Sequence, residues 1–424
     1  SQPQQPNIQV YGKLVKGNYS RLPNRFHKTI SFQQVAKKDK GAKTVFLKIH
    51  GWKEVSNCDK AYVCYFQGKK KNFQRERFTF HTIKSPWQRV NVIPGMEYWH
   101  SKYNFLVGFR DYFTQEQNKT IQSSEGAKES MQSMLYFLPE TYLLKEQSGI
   151  IAFQNQLQNN GGMNRAWVLK DVGRDGGGEG IEVLGANSYE LQTVMERINQ
   201  GENKKKDYLI QAFICNELVW FNGEKFDLRF YWSVISVDPP IVLFHDGLAR
   251  VSKVQYQETN FSNSKDILTN HAFRDDANLD VTPHFLKELI RQHYKANLNE
   301  LSDKLPNHIT DPAEHVWNQM REAMGTFSKA FLSGNNRGFG NILNNESTGI
   351  IAENSFSFHG CDFIIDKDLD VYFIEAQEKP ARVGEPEKLN IYRDMLLPIP
   401  KLLEEIRTKQ EMDPKGNILP LQNL

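Results

Sequence analysis

Residues 360–377 read Gly-Cys-Asp-Phe-Ile-Ile-Asp-Lys-Asp-Leu-Asp-Val-Tyr-Phe-Ile-Glu-Ala-Gln. Two apolar runs flank a four-residue polar turn, so the stretch predicts a β-hairpin. With the pairing centred on that turn, Asp366 faces Val371. Counting back from there, Asp362 faces Glu375, and their Cβ atoms lie about 5 Å apart on one face. Two like charges at that distance repel each other unless a positive group lies between them.

The same face of the hairpin offers a third oxygen. Gln377 lies two residues beyond Glu375 and therefore points to the same side. Carboxylate oxygens completed by phosphate and water suit Mg²⁺, so Asp362, Glu375 and Gln377 form a candidate metal site. The alternative is a solvated face with both carboxylates in water. The apolar flanking residues favour a buried hairpin: Phe363, Ile364, Phe373 and Ile374.

Length and composition limit the class of protein. A chain of 424 residues exceeds one ordinary core, so two or three domains are expected. The four cysteines lack metal-ligand spacing, and the sequence has neither an apolar leader at its start nor a run of 18 apolar residues. We therefore expect a soluble protein of a reducing compartment, without a membrane partner.

Charge is distributed unevenly along the chain. Residues 1–110 carry 21 Lys and Arg against 5 Asp and Glu, a net charge of +16, whereas the remainder carries −13. A basic module predicts a polyanionic partner: nucleic acid, anionic lipid or an acidic peptide. The alternative is a basic surface with no partner. Short β-like runs at Thr44–Ile49 and Ala61–Phe66 predict a small α/β module here.

A candidate phosphate site lies in the middle of the chain. Residues 166–170 predict a short buried strand that ends on Lys170, and a loop with Gly176, Gly177, Gly178 and Gly180 follows. Backbone N–H groups of such a loop can surround an anion that the lysine reaches. The spacing is not that of a P-loop, and residues 181–184 continue as a strand. The loop is therefore predicted to be a glycine-rich hairpin that covers phosphate. The alternative is a glycine-rich hairpin that is merely flexible and binds no phosphate.

An ionic strand follows. Lys225, Asp227 and Arg229 share one face, and apolar residues occupy the other. Because the strand continues into an apolar run at 232–235, its ionic face is predicted to line a cleft. The next strand is predicted to end on Arg250, and Thr269 and Asn270 follow a loop. Residues 284–332 predict a long helical stretch.

In this order, the elements resemble the tubulin tyrosine ligase-like family, which has an ATP-grasp fold. The resemblance covers residues 137–385, and its most specific pieces are residues 225–229, 246–250, 268–270 and 360–377. It implies an α/β protein in which two α+β subdomains clasp ATP, preceded by a small basic α/β N-terminal module. The implied boundaries are 1–110 for the basic module, 111–136 for a linker, 137–210 for the central subdomain, 211–400 for the C-terminal subdomain and 401–424 for a C-terminal helix and tail.

The resemblance also implies a role for each candidate residue. ATP would be held by Lys170, by the loop glycines Gly176, Gly177, Gly178 and Gly180, and by a hinge beside adenine that includes Gln211, Phe213 and Ile214. Lys225, Asp227 and Arg229 would line the site for ATP and the incoming amino acid. Arg250 would meet the acyl phosphate or the tetrahedral intermediate. Thr269 and Asn270 would bind phosphate and amino acid, and Asp362, Glu375 and Gln377 would hold Mg²⁺.

The implied reaction joins a carboxylate to an amine. A peptide carboxylate attacks the γ-phosphate of ATP, and the amine of a free amino acid then displaces phosphate from the acyl phosphate. The implied partners are ATP, Mg²⁺, a free amino acid (tyrosine, glutamate or glycine) and the acidic C-terminal tails of tubulin or microtubules, bound by the basic module. The implied location is the cytoplasm and cytoskeleton, with the cilium or axoneme as a further site.

Three positions depart from the family pattern. Ala212 stands where the family usually has Lys or Arg, Ile267 where it often has His, and Gln377 where it has Asn. The rival interpretation is therefore a catalytically weak or inactive member that serves as a structural microtubule-associated or axonemal protein. An RNA-binding module ranks last because only the basic region supports it, so nucleic acid is not an expected partner.

Overall fold

The computed structural model describes residues 28–33, 43–66, 88–91, 93, 96–122, 136–159, 165–172, 180–186, 188–201, 207–237, 240–256, 279–281, 283–332, 355–378, 399–400 and 402–403. These residues form three β-sheets with α-helices packed against them. The α/β class expected from the sequence is therefore confirmed, and the subdomain boundaries stay a prediction. Within the described ranges, every helix is too short or too polar to cross a membrane.

The first sheet is parallel and small. Its order is β2-β1-β3-β4, with β1 at Thr29–Gln33, β2 at Lys53–Glu54, β3 at Val63–Phe66 and β4 at Arg89–Val90. The strand predicted at Thr44–Ile49 is wrong, because this segment is a short helical turn. The adjacent residues Val45 and Phe46 are both buried there, whereas Ile49 is 49% exposed. A strand would send such neighbours to opposite faces.

The cysteines differ from the expectation of a reducing compartment. Cys58 and Cys64 form a disulfide, with Cα atoms 5.1 Å apart. A short helical turn at Cys58–Lys60 brings the first cysteine back beside β3, which carries the second. Cys215 is an exposed free thiol and Cys361 a buried one.

The core of the first sheet is shared with distant parts of the chain. Tyr62, which precedes β3, donates a hydrogen bond from its hydroxyl to the carbonyl of Leu403, 3.0 Å away. Apolar residues of the sheet pack in one cluster with residues from later segments, namely Ile235, Ile241, Leu243, Phe356, Ile399, Leu402 and Leu403. This sheet therefore shares its core with residues from the middle and from the later part of the chain.

Two helices lead from the first sheet to the second: α1 at Met96–Trp99 and α2 at Lys102–Gln122. Phe105, Phe109 and Phe113 recur every four residues along α2, which places them on one face. All three are buried in the largest hydrophobic cluster. Burying each ring contributes roughly 1.5–3 kcal/mol, which fixes this helix against the body of the protein.

The second sheet is antiparallel, in the order β5-β8-β6-β7. Its elements in chain order are β5 at Thr141–Leu143, α3 at Gln147–Asn159, β6 at Trp167–Asp171, β7 at Ile181–Leu184, α4 at Tyr189–Asn199 and β8 at Tyr208–Ala212. Ser188 caps the N-terminus of α4, and its hydroxyl accepts the backbone N–H of Leu191 at 3.1 Å. Helix α4 and α3 contribute apolar residues to one cluster with the sheet, which leaves the opposite face for the candidate site.

The third sheet is larger, in the order β11-β10-β9-β12-β13, and antiparallel throughout. Its elements are β9 at Glu224–Val237, β10 at Pro240–Gln255, β11 at Leu279–Val281, α5 at Pro283–Ala296, α6 at Leu298–Leu301, α7 at Pro312–Leu332, β12 at Ser357–Ile365 and β13 at Val371–Glu378. The predicted long helical stretch is thus interrupted. Apolar side chains of the sheet pack on α7, and the Trp232 indole nitrogen donates to Ser328 on that helix at 3.0 Å.

In the hairpin of β12 and β13, Asp362 faces Glu375 as predicted, although the register near the turn differs from the prediction. Ile365, and not Asp366, faces Val371, so the turn is one residue longer than predicted. An irregularity between Asp362 and Phe363 then restores the register, and Asp362 faces Glu375. Asp366 belongs to the turn and not to the paired strands, because its carboxylate accepts the backbone N–H groups of Asp368 and Asp370.

Candidate active site

A cavity of about 110 Å³ lies between the second and third sheets. The second sheet and the segment after it supply Lys170, Gln211, Ala212, Phe213 and Ile214 to its lining. The third sheet supplies the polar residues Lys225, Asp227, Asp362 and Glu375. Two separately predicted groups of residues therefore meet at one place.

Lys170 on β6 is buried and has a neutral hydrogen-bond acceptor. Its Nζ donates to Gln211 Oε1 at 2.6 Å, and Gln211 Nε2 in turn donates to Thr141 Oγ1 at 2.9 Å. Burial lowers the pKa of Lys170 to about 8, although the nearby Glu375 carboxylate acts in the opposite direction. A buried ammonium paired with an amide gains strongly from an added anion.

The ionic face of the third sheet forms a ladder of Arg and Asp side chains. Arg250 donates to both oxygens of Asp227, each at 2.5 Å. Arg229 donates from Nε to Asp362 Oδ1 and from Nη2 to Asp362 Oδ2, the latter at 2.9 Å. Arg250 Nη2 also lies 3.0 Å from Asp362 Oδ2. All four side chains are buried, and both Arg–Asp pairs are bidentate, the strongest form of such a contact.

The titration of this ladder reflects its pairing. Burial by itself raises the pKa of Asp362, but the guanidinium groups of Arg229 and Arg250 outweigh it, so the net shift is downward. Burial likewise lowers the pKa of Arg250, and the carboxylates of Asp227 and Asp362 shift it upward overall. Asp362 and Arg250 are therefore both charged at neutral pH.

A bulge positions Arg250 in the ladder. The prediction that its strand ends there is wrong, since β10 continues to Gln255. A register shift between His245 and Leu248 brings Arg250 opposite Asp227. Gly247 lies in this bulge with φ of +68°, and a Cβ there would meet the Arg229 carbonyl oxygen at 1.7 Å. Only glycine fits that conformation and that space.

Sequence reasoning missed Glu217. This residue is buried and pairs with Lys225, whose ammonium also lies 4.9 Å from the centre of the Phe213 ring and 5.2 Å from that of Tyr256. The available signal was a lone carboxylate within the apolar run that follows the predicted hinge. Its presence means that Lys225 is already neutralised by the protein.

Gln377 completes the carboxylate face of the hairpin. Its Nε2 donates to Glu375 Oε1 and lies 3.4 Å from Asp362 Oδ2. The three predicted metal ligands therefore lie together. Within the described ranges, however, there is no group of three or more His, Cys, Asp or Glu placed to hold a metal ion.

The fit of Mg²⁺ to this set is poor. A carboxylate offers about four acceptor positions. Those of Asp362 meet four donors: Nε and Nη2 of Arg229, Nη2 of Arg250 and Nε2 of Gln377. A cation at this carboxylate would have to displace one of them.

Several predicted residues fall outside the described ranges. They are Gly176, Gly177, Gly178, Thr269 and Asn270, together with Ile267. Gly180 is described: it adopts φ of +74°, and its carbonyl accepts the backbone N–H of Asp171 at 2.8 Å. Strand β7 pairs directly with β6, so a hairpin joins the two strands.

The sequence also matches a known family. The model of the tubulin-tyrosine ligase family matches residues 81–397, which is most of the chain. This range includes both cavity walls and all of the predicted site residues. The first sheet lies largely before it.

Individual relatives are distant. Mouse tubulin monoglutamylase TTLL4 is 24% identical over 319 residues, covering 71% of this chain and 23% of that protein. Mouse tubulin polyglutamylase TTLL6 is 23% identical over 250 residues, covering 58% and 27%. Tubulin glycylase 3C of Tetrahymena thermophila is 26% identical over 229 residues, covering 52% and 18%. The chain thus matches roughly a quarter or less of each relative's length.

Proposed function

The chain belongs to the tubulin-tyrosine ligase family, and we propose that it is an ATP-dependent ligase that joins an amino acid to a carboxylate of tubulin. The observation that carries the proposal is Lys170. This buried ammonium is held by a neutral amide in a cavity whose opposite wall is ionic. Such an arrangement supports binding of a polyphosphate between the two sheets.

The proposed chemistry has two steps. In the first, a carboxylate oxygen of the peptide attacks the γ-phosphorus of ATP, and the bond to ADP breaks. In the second, the amine nitrogen of the amino acid attacks the acyl carbon, phosphate leaves and the amine loses a proton. Both steps build negative charge on oxygens, and prepositioned cations stabilise such charge best.

Each cation has a proposed task. Lys170 donates to the phosphates of ATP from the second sheet. Arg250, whose plane is fixed by its bidentate contact with Asp227, faces the charge of the intermediate. Lys225 and Arg229 line the site, and Phe213 and Ile214 flank the base. Because Mg²⁺ fits poorly at Asp362, no step is assigned to it.

The proposed acceptor is tubulin, and the proposed amino acid is glutamate or glycine. The relatives named above are tubulin glutamylases and a tubulin glycylase. The net charge of +16 over residues 1–110 complements an acidic tubulin tail. The cytoskeleton is accordingly the proposed place of action.

A transfer assay tests the ligase. Microtubules with and without their C-terminal tails are incubated with ATP and radiolabelled glutamate, glycine or tyrosine. We expect ATP-dependent label on intact microtubules only. Arg250→Lys keeps a charge but loses the bidentate contact with Asp227, and it should lower turnover while leaving ATP affinity unchanged. Absence of label with all three amino acids would refute the proposed ligase.

Nucleotide binding is tested separately. ATP should raise the melting temperature, since a ligand of the folded state stabilises it. Lys170→Ala should remove most of that rise. The matched control is Lys145→Ala, which removes an exposed ion pair with Asp207 and a contact with the Tyr103 ring but no contact in the cavity. An equal rise in both variants would exclude Lys170 as the phosphate contact.

A second candidate function is favoured by the four donors on Asp362. A member of this family that binds nucleotide without transferring an amino acid could serve as a structural component of microtubules. The two assays distinguish the candidates: this one predicts an ATP-dependent rise in melting temperature together with no transfer.

A further inference from the structure

We infer that the side-chain amide of Gln377 occupies the place of a cation between Asp362 and Glu375, so that this chain binds ATP without needing a divalent metal. The inference rests on the nucleotide site proposed above and concerns how that site is balanced electrically. It makes Gln377 a positioning residue and not a metal ligand.

The amide bridges the two carboxylates. Asp362 and Glu375 face each other across the hairpin, at the separation where like charges repel. Gln377 Nε2 donates to Glu375 and lies 3.4 Å from Asp362. The same nitrogen thus contacts one oxygen of each carboxylate, where a cation shared between them would otherwise lie. The amide supplies this contact without adding charge.

The length of the glutamine side chain makes the bridge feasible. In the hairpin register Gln377 faces Gly360, and Asp362 is its diagonal neighbour. Diagonal neighbours are about 7–8 Å apart, within reach of long side chains. Gly360 has no side chain, which leaves room for Gln377 to lean across. An asparagine is one methylene shorter and reaches less far toward Asp362.

Displacing the protein donors is costly. A metal ion that took an oxygen of Asp362 would have to displace Gln377 or break a contact of Arg229 or Arg250. Both guanidinium groups are buried, and a buried ion pair that loses one partner is strongly destabilised. Gln377 is the easiest donor to displace, since its contact with Asp362 is the longest.

The charged side chains described above at the cavity and in the ladder balance one another. Lys170, Lys225, Arg229 and Arg250 supply four positive charges, and Glu217, Asp227, Asp362 and Glu375 supply four negative ones. Three of these cations are paired with carboxylates. Lys170 is the cation with a neutral hydrogen-bond acceptor, so it is the group that meets the incoming phosphate directly.

Isothermal titration with ATP tests the inference, in buffer with either EDTA or excess Mg²⁺. We expect the two dissociation constants of the wild type to agree within about twofold, because no carboxylate oxygen needs a metal. Gln377→Glu is isosteric but replaces the two N–H donors by a third carboxylate. It should bind ATP at least about tenfold more tightly with Mg²⁺ than with EDTA. The control Gln154→Glu, on α3, should behave as the wild type.

A metal readout independent of ATP accompanies the titration. The paramagnetic resonance signal of free Mn²⁺ should be unchanged by the wild type and reduced by Gln377→Glu. If Gln377→Glu does not fold, Gln377→Met keeps the length, removes the donors and should also reduce the signal.

The outcomes separate the inference from the proposed function. ATP binding by the wild type that requires Mg²⁺ overturns the inference and leaves the ligase proposal standing. ATP binding in neither buffer removes both. Equal binding in both buffers, with Mg²⁺ dependence gained in Gln377→Glu, supports the inference.

Discussion

The two walls of the cavity hold their charges in opposite ways. On the second sheet, one lysine is buried against a neutral amide, and burial lowers its pKa to about 8. On the third sheet, the arginines are buried against carboxylates that hold them in bidentate contacts. The first wall has electrostatic energy to gain from a ligand, whereas the second has already satisfied its own charges.

This difference assigns recognition of the phosphate to one wall and orientation of the arginine side chains to the other. The Arg–Asp ladder gains little from a further ion, but it fixes the planes of its guanidinium groups. Lys170 is less constrained and more responsive to an arriving phosphate. We therefore expect substitutions in the ladder to act first on stability and substitutions at Lys170 to act first on binding.

The largest expected effect on stability follows from breaking the ladder of Arg and Asp side chains. Asp362→Ala leaves Arg229 and Arg250 buried without this partner and should lower the free energy of unfolding by about 3–5 kcal/mol. Glu375→Gln, on the same face but only partly buried, should cost less than about 1 kcal/mol. Urea denaturation of both variants measures the contrast. Equal losses would show that the ladder is not the stabilising unit.

The next effect concerns the bulge that aligns the ladder. Gly247→Ala forces a Cβ against the Arg229 carbonyl at positive φ, and we expect a loss of about 3 kcal/mol from strain and shifted pairing. Gly325→Ala is the matched control, because a Cβ there meets nothing within 4 Å in the interior of α7. It should stabilise the protein by about 0.5–1 kcal/mol. Thermal unfolding of the pair measures both signs.

The smallest effect belongs to the other wall and depends on pH. The free protein holds the Lys170 proton below pH 8 and loses it above, because burial lowers its pKa to about 8. ATP affinity should therefore be constant below pH 8 and fall by up to about tenfold for each pH unit above it. Lys170→Arg stays charged throughout and should flatten the profile. A wild-type profile that is flat to pH 9.5 would contradict the role of Lys170.

Regular alternation made much of the third sheet predictable. The period of two over residues 225–230 correctly separates the ionic face from the apolar one, and both faces are buried. The pairing of Asp362 with Glu375 was also foreseen. The predicted pairing was right only because the irregularity between Asp362 and Phe363 compensates for a turn that is one residue longer than predicted. That longer turn depends on the two backbone N–H groups that the Asp366 carboxylate accepts.

Partners from distant parts of the chain could not be predicted. The spacing of eight residues between Glu217 and Lys225 does not indicate that they pair, because Glu217 lies between β8 and β9 and its contacts depend on how that segment folds. The four donors on Asp362 come from three strands, and their convergence depends on the Gly247 bulge. Similarly, the helical turn at 44–49 follows from packing against the first sheet and not from the local sequence pattern.

The hydrogen bond between Tyr62 and Leu403 has a consequence for synthesis of the protein. The two residues are 341 positions apart. A ribosome that adds about 5–20 residues per second needs on the order of 20 seconds to a minute to cover that distance. Throughout that time the first sheet lacks the late residues of its core and exposes apolar surface. The first sheet is thus completed long after its own strands are made, and we expect it to be a part of the protein that depends on chaperones.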